Sequence, residues 1–322
     1  MQELIKGEDR ETANQLACHY LDVLQPGQGG SPEDTSRLPE LFSVMASVRS
    51  SFWPKAADML VSALRKTAEA ALSRDKRGPL TGKDYQHWKI LHCIVALAHT
   101  LGSYEEFALI HKAGAAVEEL AGQDSSRHAE CCGATLPTLL TPSAVERVLE
   151  IYVQKPHDVA GARTVAALLR WSGTGAIARV FQELEQEPVA SKRAALIRLI
   201  SRIGPAALEP ARQCLKSASS QVVCDACHLL VELRDPGLMG QLAPLLRHAD
   251  ERVQKVAVHS IIKTRSPGRA ALLAEALPYL HAHLLEEVTG DLLFLRDPAT
   301  VPALERFIFD QAMGKTRPLL MA

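Results

Sequence analysis

Apolar side chains between residues 190 and 310 recur in registers that repeat every 31 residues. Leu199, Leu230, Ile261 and Leu292 form one register. Leu196, Cys227, Val258 and Thr289 form a second, and Ala195, Ala226, Ala257 and Val288 a third. Positions three and four apart fall on one side of a helix, and alanine in the third register suits close approach of a neighbour. After a short break a second set follows. Leu208, Met239, Ala270 and Val301 open it, then Ala211, Leu242, Leu273 and Leu304, then Leu215, Leu246, Leu277 and Ile308. This spacing also traces a helical face, so the repeating element is a hairpin of two helices.

Pro205, Pro236, Pro267 and Pro298 mark the break in each hairpin. In the first turn of a helix the missing N–H of proline costs nothing and its fixed φ suits the backbone. The residue before it resists the α conformation, which ends the first helix. Upstream the frame continues without proline at Thr174, followed by Ile177, Val180 and Leu184 and preceded by Val165, Leu168 and Leu169. Pro142 stands one hairpin earlier, followed by Val145, Val148, Leu149 and Tyr152. About six hairpins fit between 124 and 310.

A single hairpin cannot hide its apolar face. Burying one large aliphatic side chain contributes roughly 1.5–3 kcal/mol, whereas ordering the backbone costs about 1–2 kcal/mol per residue. Stacked neighbours cover both faces, and a solenoid is the expected arrangement.

Leu233-Arg234-Asp235-Pro236 and Leu295-Arg296-Asp297-Pro298 resemble the inter-helix turn of bacterial HEAT repeats, and Asp250-Glu251-Arg252-Val253 resembles the start of a HEAT helix. The resemblance covers the C-terminal three-fifths of the chain. It implies an all-α fold, a right-handed α-α superhelix behind a helical N-terminal cap. It also implies a non-catalytic scaffold or adaptor that meets a protein or peptide on the concave surface of its second helices. Carried onto this frame, the outward positions are Arg179, Gln182, Glu209, Gln213, Gln241, Arg247 and Arg306. Their mixed charge and amides suit a polypeptide better than a polyanion.

HEAT-like arrays also host alkylpurine DNA glycosylases and bilin lyases. The first need a basic groove with aromatic and acidic residues around a flipped base. Here the array holds few aromatics and no dense basic face, which argues against nucleic acid. A tetrapyrrole role would call on Cys224 or Cys227.

Outside the repeats, residues 1–40 read as a helix over 2–24 and a connector over 25–36 rich in Pro, Gly and Ser. Residues 41–123 read as the helical cap. It has one long helix or two over 41–74, interrupted at Trp53-Pro54, then a hairpin turning at Gly102. Phe107, Ile110, Ala113 and Val117 form the inner face of that hairpin's second helix. Residues 124–310 are the array and 311–322 a tail.

Composition narrows the class. The 36 Lys and Arg nearly balance the 37 Asp and Glu, so no global field draws the chain to polyanions. The polar, acidic first residues do not read as a signal peptide, and no apolar run is long enough for a membrane span. Seven cysteines without such a signal point to reduced thiols and a cytoplasmic location.

Cys224-Asp225-Ala226-Cys227-His228 matches the C-x-x-C-H string of haem attachment, but the repeat frame places Cys227 in a core register. Buried free thiols are the expected reading. His128, Cys131 and Cys132 lie close in sequence, yet a structural metal site needs four ligands and the two cysteines diverge on a helix. No metal or cofactor is expected. His87, His92 and His99 read as a partly exposed helix face. Arg234, Arg265 and Arg296 recur two residues before a proline. At a helix C-terminus a cation complements the dipole, and each is expected to bond the last carbonyls and reach Asp235 or Asp297. Nucleophile-elbow and H-E-x-x-H motifs are absent.

Overall fold

A computed structural model describes residues 52–69, 82–103, 105–122, 127–154, 159–266 and 268–312. The expected helix over 2–24, the connector over 25–36, Pro267 and the chain beyond 312 lie outside the described residues. Among the described residues every regular element is helical, so the fold is all-α. The chain divides into two compact bodies, residues 1–179 and 180–322.

The N-terminal body contains α1 (Phe52–Glu69), α2 (Gly82–Ser103), α3 (Phe107–Gly122), α4 (Arg127–Thr135), α5 (Pro142–Gln154) and α6 (Val159–Trp171). Helix α7 (Thr174–Gln186) begins in this body and ends in the next. Helix α1 starts at the Trp53-Pro54 interruption, where proline occupies the first turn. Helix α2 runs one residue past Gly102, and the chain turns instead at Glu105, which takes φ 63°. The inner face of α3 is as read, with Phe107, Ile110, Ala113 and Val117 all buried. Helix α1 packs on α2 and α3, α3 on α4 and α6, and α5 on α6.

One contact fixes how closely α6 approaches α3. A Cβ added to Gly114 would stand 2.3 Å from a ring carbon of Trp171. The indole therefore rests on bare backbone. Its other neighbour is His111, stacked at 5.6 Å between ring centroids, and burial is the main cause lowering that imidazole's pKa.

The C-terminal body holds α8 (Ala190–Ile203), α9 (Leu208–Cys214), α10 (Ser220–Glu232), α11 (Leu238–Leu242), α12 (Glu251–Thr264), α13 (Arg269–Ala276), α14 (Ala282–Leu295) and α15 (Val301–Ala312). Helix α8 packs on α10, α10 on α12, and α12 on α14. The three registers of these helices form the core between them. Leu199, Leu230, Ile261, Ala195, Ala226, Ala257 and Val288 are almost wholly buried, as is Leu292. Thr289 alone is half-buried, its hydroxyl donating to Leu285 O at 2.6 Å.

The second helices are shorter than the periodicity predicts. Helices α9, α11 and α13 have 7, 5 and 8 residues. Two of them pass into 3-10 turns, Ala243–Arg247 and Leu277–Tyr279. Pro244 and Pro278 explain this, since proline inside a helix removes a donor and clashes with the carbonyl four residues back. The tighter turns still bury Leu246 and Leu277. In the last hairpin the pattern fails: Val301 is 46% exposed, Ile308 64%, and Leu304 half-buried.

Polar side chains join successive hairpins. Gln254, buried on α12, donates to Leu246 O at 3.0 Å and to Tyr279 O at 2.8 Å. Its own Oε1 accepts from the His281 N–H at 3.0 Å. Arg193 on α8 donates to Leu184 O and Glu187 O, at 2.7 and 3.0 Å, and also to Asp225 on α10. Helix α12 starts where the sequence indicates, with Asp250 accepting from the Arg252 N–H at 2.9 Å. Hydrogen bonding to the Arg252 guanidinium is the first cause holding that carboxyl below its ordinary range.

Candidate functional site

The seven outward positions do not form one cluster. Arg179 lies on the part of α7 in the N-terminal body, half-buried, with its guanidinium 3.8 Å from Glu146 of α5. Gln182, Glu209, Gln213, Gln241, Arg247 and Arg306 belong to the C-terminal body and are all exposed. Glu209 accepts from Arg212 at 3.4 Å, which leaves Gln213 beside it on α9 as the open amide.

Arg247 has the most defined setting. Its guanidinium lies 4.1 Å above the ring centroid of Tyr279, from the corresponding 3-10 turn of the next hairpin. Such stacking orients the cation while its donors stay in water. Tyr279 is itself 46% exposed, and the pair forms an aromatic and cationic step on the surface. Periodicity alone does not reveal this pairing. Tyr279 occupies a position two residues past the buried Leu277, and a turn, rather than a helix, aims it outward.

The arginine ladder is a backbone feature. Arg234, Arg265 and Arg296 take φ of 54°, 50° and 50°, the left-handed conformation that closes helices and favours glycine. Gly173 and Gly204 also take positive φ, 84° and 82°, although ψ of −146° places Gly204 outside the left-handed helical region. The expected reach to Asp235 and Asp297 is not made. Asp235 is engaged by Arg212, and Asp297 accepts from the Ala299 N–H at 2.9 Å as the cap of the last 3-10 turn. The three arginine side chains point into solvent.

The C-x-x-C-H segment lies on α10. Cys224 and Cys227 are buried and His228 is exposed. Burial pushes the Cys227 thiol up to about 12 and is also the first cause raising Cys224. Both are therefore protonated thiols with little nucleophilicity. Asp225 within the same segment serves Arg193 and also accepts from Gln221 at 3.2 Å.

His128, Cys131 and Cys132 meet a partner that the sequence did not indicate. His87 of α2 is buried rather than partly exposed, and its ring stacks on His128 at 4.1 Å and 12°. Cys132 Sγ lies 3.5 Å from His87 Nε2. Burial pushes the Cys132 thiol up to about 12, so it stays protonated, and the His87 tautomer sets which of the two atoms donates. Among the described residues no group of three or more His, Cys, Asp and Glu could hold a metal ion. Cys131 instead opens into a cleft of about 410 Å³ with Trp88 and His92, stacked at 5.8 Å, and Thr135.

Among the described residues no helix is long and apolar enough to cross a membrane. No family model matches the chain, and no curated protein matches it. Among solved structures, an engineered protein is 16% identical over 95% of this chain and 92% of its own, with a TM-score of 0.27. That likeness carries no weight for fold or function.

Proposed function

We propose that the chain is a non-catalytic interaction scaffold, an α-solenoid of HEAT-type hairpins that works in a reducing, cytoplasmic setting. The observation that carries this reading is the division of labour along the repeat in the C-terminal body. The Leu199 and Ala195 registers are buried at the same offset in four successive first helices. The outward second-helix positions Gln182, Glu209, Gln213, Gln241, Arg247 and Arg306 remain in solvent. A partner protein or peptide would read that surface through amides and the Arg247–Tyr279 step. The thiols of Cys224 and Cys227 are core groups in this reading, and neither cofactor nor metal is required.

Affinity purification from the native cell tests it. The double variant Gln241→Glu, Arg247→Glu should lose the partner recovered by the unchanged chain. Equal recovery by both would refute this placement of the surface. Small-angle scattering tests the architecture separately: an elongated particle is expected, and a sphere-like profile would refute the solenoid.

A further inference from the structure

Exposed large apolar side chains are concentrated at one end of the C-terminal body. Leu293 is 73% exposed, Phe294 81%, Ile308 64%, Phe309 59% and Val301 46%. All five belong to α14 and α15. Elsewhere among the described residues only Trp88, Val189 and Tyr279 are large, apolar and comparably open.

Comparison with preceding hairpins shows what this face lacks. The register of Leu293 holds Ile200, Val231 and Ile262, which are buried or half-buried. The register of Ile308 holds Leu215, which is half-buried, and Leu246 and Leu277, both about 1% exposed. At the register of Phe294, earlier helices carry Ser201 and Glu232, which hydrogen-bond to each other between α8 and α10, and the exposed Lys263 on α12. In the Leu293 and Ile308 registers the earlier hairpins thus keep every side chain buried or half-buried, whereas the Phe294 register carries polar residues. On α14 and α15 no further described helix follows. These last described helices present Phe, Leu and Ile to solvent.

Charge states what kind of helix would fit. Residues 282–312 contain six acidic groups (Glu286, Glu287, Asp291, Asp297, Glu305, Asp310) and two basic ones (Arg296, Arg306). The hairpin before it, residues 251–276, has the opposite balance, with five basic and two acidic. Asp291 is taken by Arg269 at 3.2 Å and Glu287 by His259 at 2.9 Å. Glu286, Glu305 and Asp310 pair with no cation among the described residues. Glu286 lies seven residues before Leu293, and Glu305 three before Ile308, so each shares a helix side with an open apolar residue.

We propose that this terminal face seats a basic amphipathic helix from a partner protein. Its apolar stripe would cover Leu293, Phe294, Val301 and Ile308, while its Lys and Arg residues meet Glu286, Glu305 and Asp310. The occupant would lay its apolar side against these open residues, as amphipathic helices do on hydrophobic surfaces. A second copy of this chain meeting the same face would set acidic groups against acidic groups. Of the second-helix positions above only Arg306 shares α15 with this face, and none of the variants below touches any of them.

Fluorescence anisotropy with the full chain and two labelled synthetic peptides provides the test. Both peptides carry leucine at helical spacing over about 18 residues, one with lysine and the other with glutamate on the polar side. The lysine peptide should bind at least about tenfold tighter than its glutamate twin, and lose that advantage as salt rises. Phe294→Asp and, separately, Glu286→Lys with Glu305→Lys should each weaken it at least about tenfold. All these positions are exposed, so circular dichroism should be unchanged. Equal binding of the two peptides would overturn the proposal, as would indifference to Phe294→Asp. So would a concentration-dependent dimer in sedimentation that Phe294→Asp disperses, which would assign the face to a second copy. Binding seen only after removal of residues 313–322, which include Lys315 and Arg317, would assign it to the chain's own end and equally overturn it.

Discussion

Arg212 on α9 grips Asp235 with two hydrogen bonds, Nε to Oδ2 at 3.0 Å and Nη2 to Oδ1 at 2.6 Å. The carboxylate side chain has no exposed surface, while the guanidinium side chain is 31% exposed. Asp235 also accepts from the Gly237 N–H at 2.9 Å, which shapes the turn at Pro236. The pair ties one hairpin to the bend of the next.

Removing the cation strands a buried charge, so Arg212→Met should lower the melting temperature more than Glu209→Gln, which removes only the exposed partner. Differential scanning calorimetry distinguishes them, and equal shifts would contradict the arrangement. The pair also sets an acid response. The hydrogen bond from Arg212 is the first cause holding the Asp235 carboxyl below its ordinary 3.8. Its contribution is therefore complete above about pH 4 and lost as pH falls through the lowered folded value. Asp235→Asn should flatten the melting temperature below pH 4, and an unchanged acid profile would refute this role.

Gln254 satisfies two carbonyls and one N–H from neighbouring turns. Gln254→Met keeps the volume but leaves those backbone groups without their partner. The expected cost is about 2–4 kcal/mol, measured by urea denaturation. A loss below about 0.5 kcal/mol would mean that water replaces the amide freely.

Arg265 and Arg296 close helices in a conformation that glycine adopts without steric cost. Arg265→Gly should stabilise the chain by a few tenths of a kcal/mol up to about 1, because the relieved strain outweighs the added freedom of the unfolded chain. Arg265→Val should destabilise it, since a β-branched residue fits left-handed backbone worst. Thermal melts of the two variants should move in opposite directions. A lower melting temperature for the glycine variant would show that the arginine side chain contributes something its exposure does not suggest.

Gly114→Ala drives a methyl group into the face of Trp171. Separating α3 from α6 should cost about 1–3 kcal/mol and disturb the stacking on His111. Gly133→Ala, where an added Cβ meets nothing, serves as the control and should be neutral or mildly stabilising. A red shift of tryptophan emission in the first variant only is the expected signature.

What could be read from the sequence follows from what periodicity encodes. The registers of Leu199 and Ala195 repeat because a buried helix face must recur every three to four residues, and each hairpin imposes the same geometry. The all-helical class and the first-helix core were legible for that reason. The second helices were overread, because a periodic stripe does not report that Pro244 and Pro278 convert the last turn to a 3-10 form. Asp235 finds its partner 23 residues earlier on another helix, and His87 meets Cys132 across 45 residues. No spacing rule predicts such pairs. The left-handed arginines were hidden for a different cause, since the sequence signal for that backbone is glycine.

The three tryptophans lie at positions 53, 88 and 171, all within residues 1–179 and none in the C-terminal body. Trp53 and Trp171 are buried, whereas Trp88 is 55% exposed. Selectively excited tryptophan emission is therefore blind to one of the two bodies, while ellipticity registers both. A heating experiment followed by both signals at once would separate sequential from concerted melting without labelling any residue.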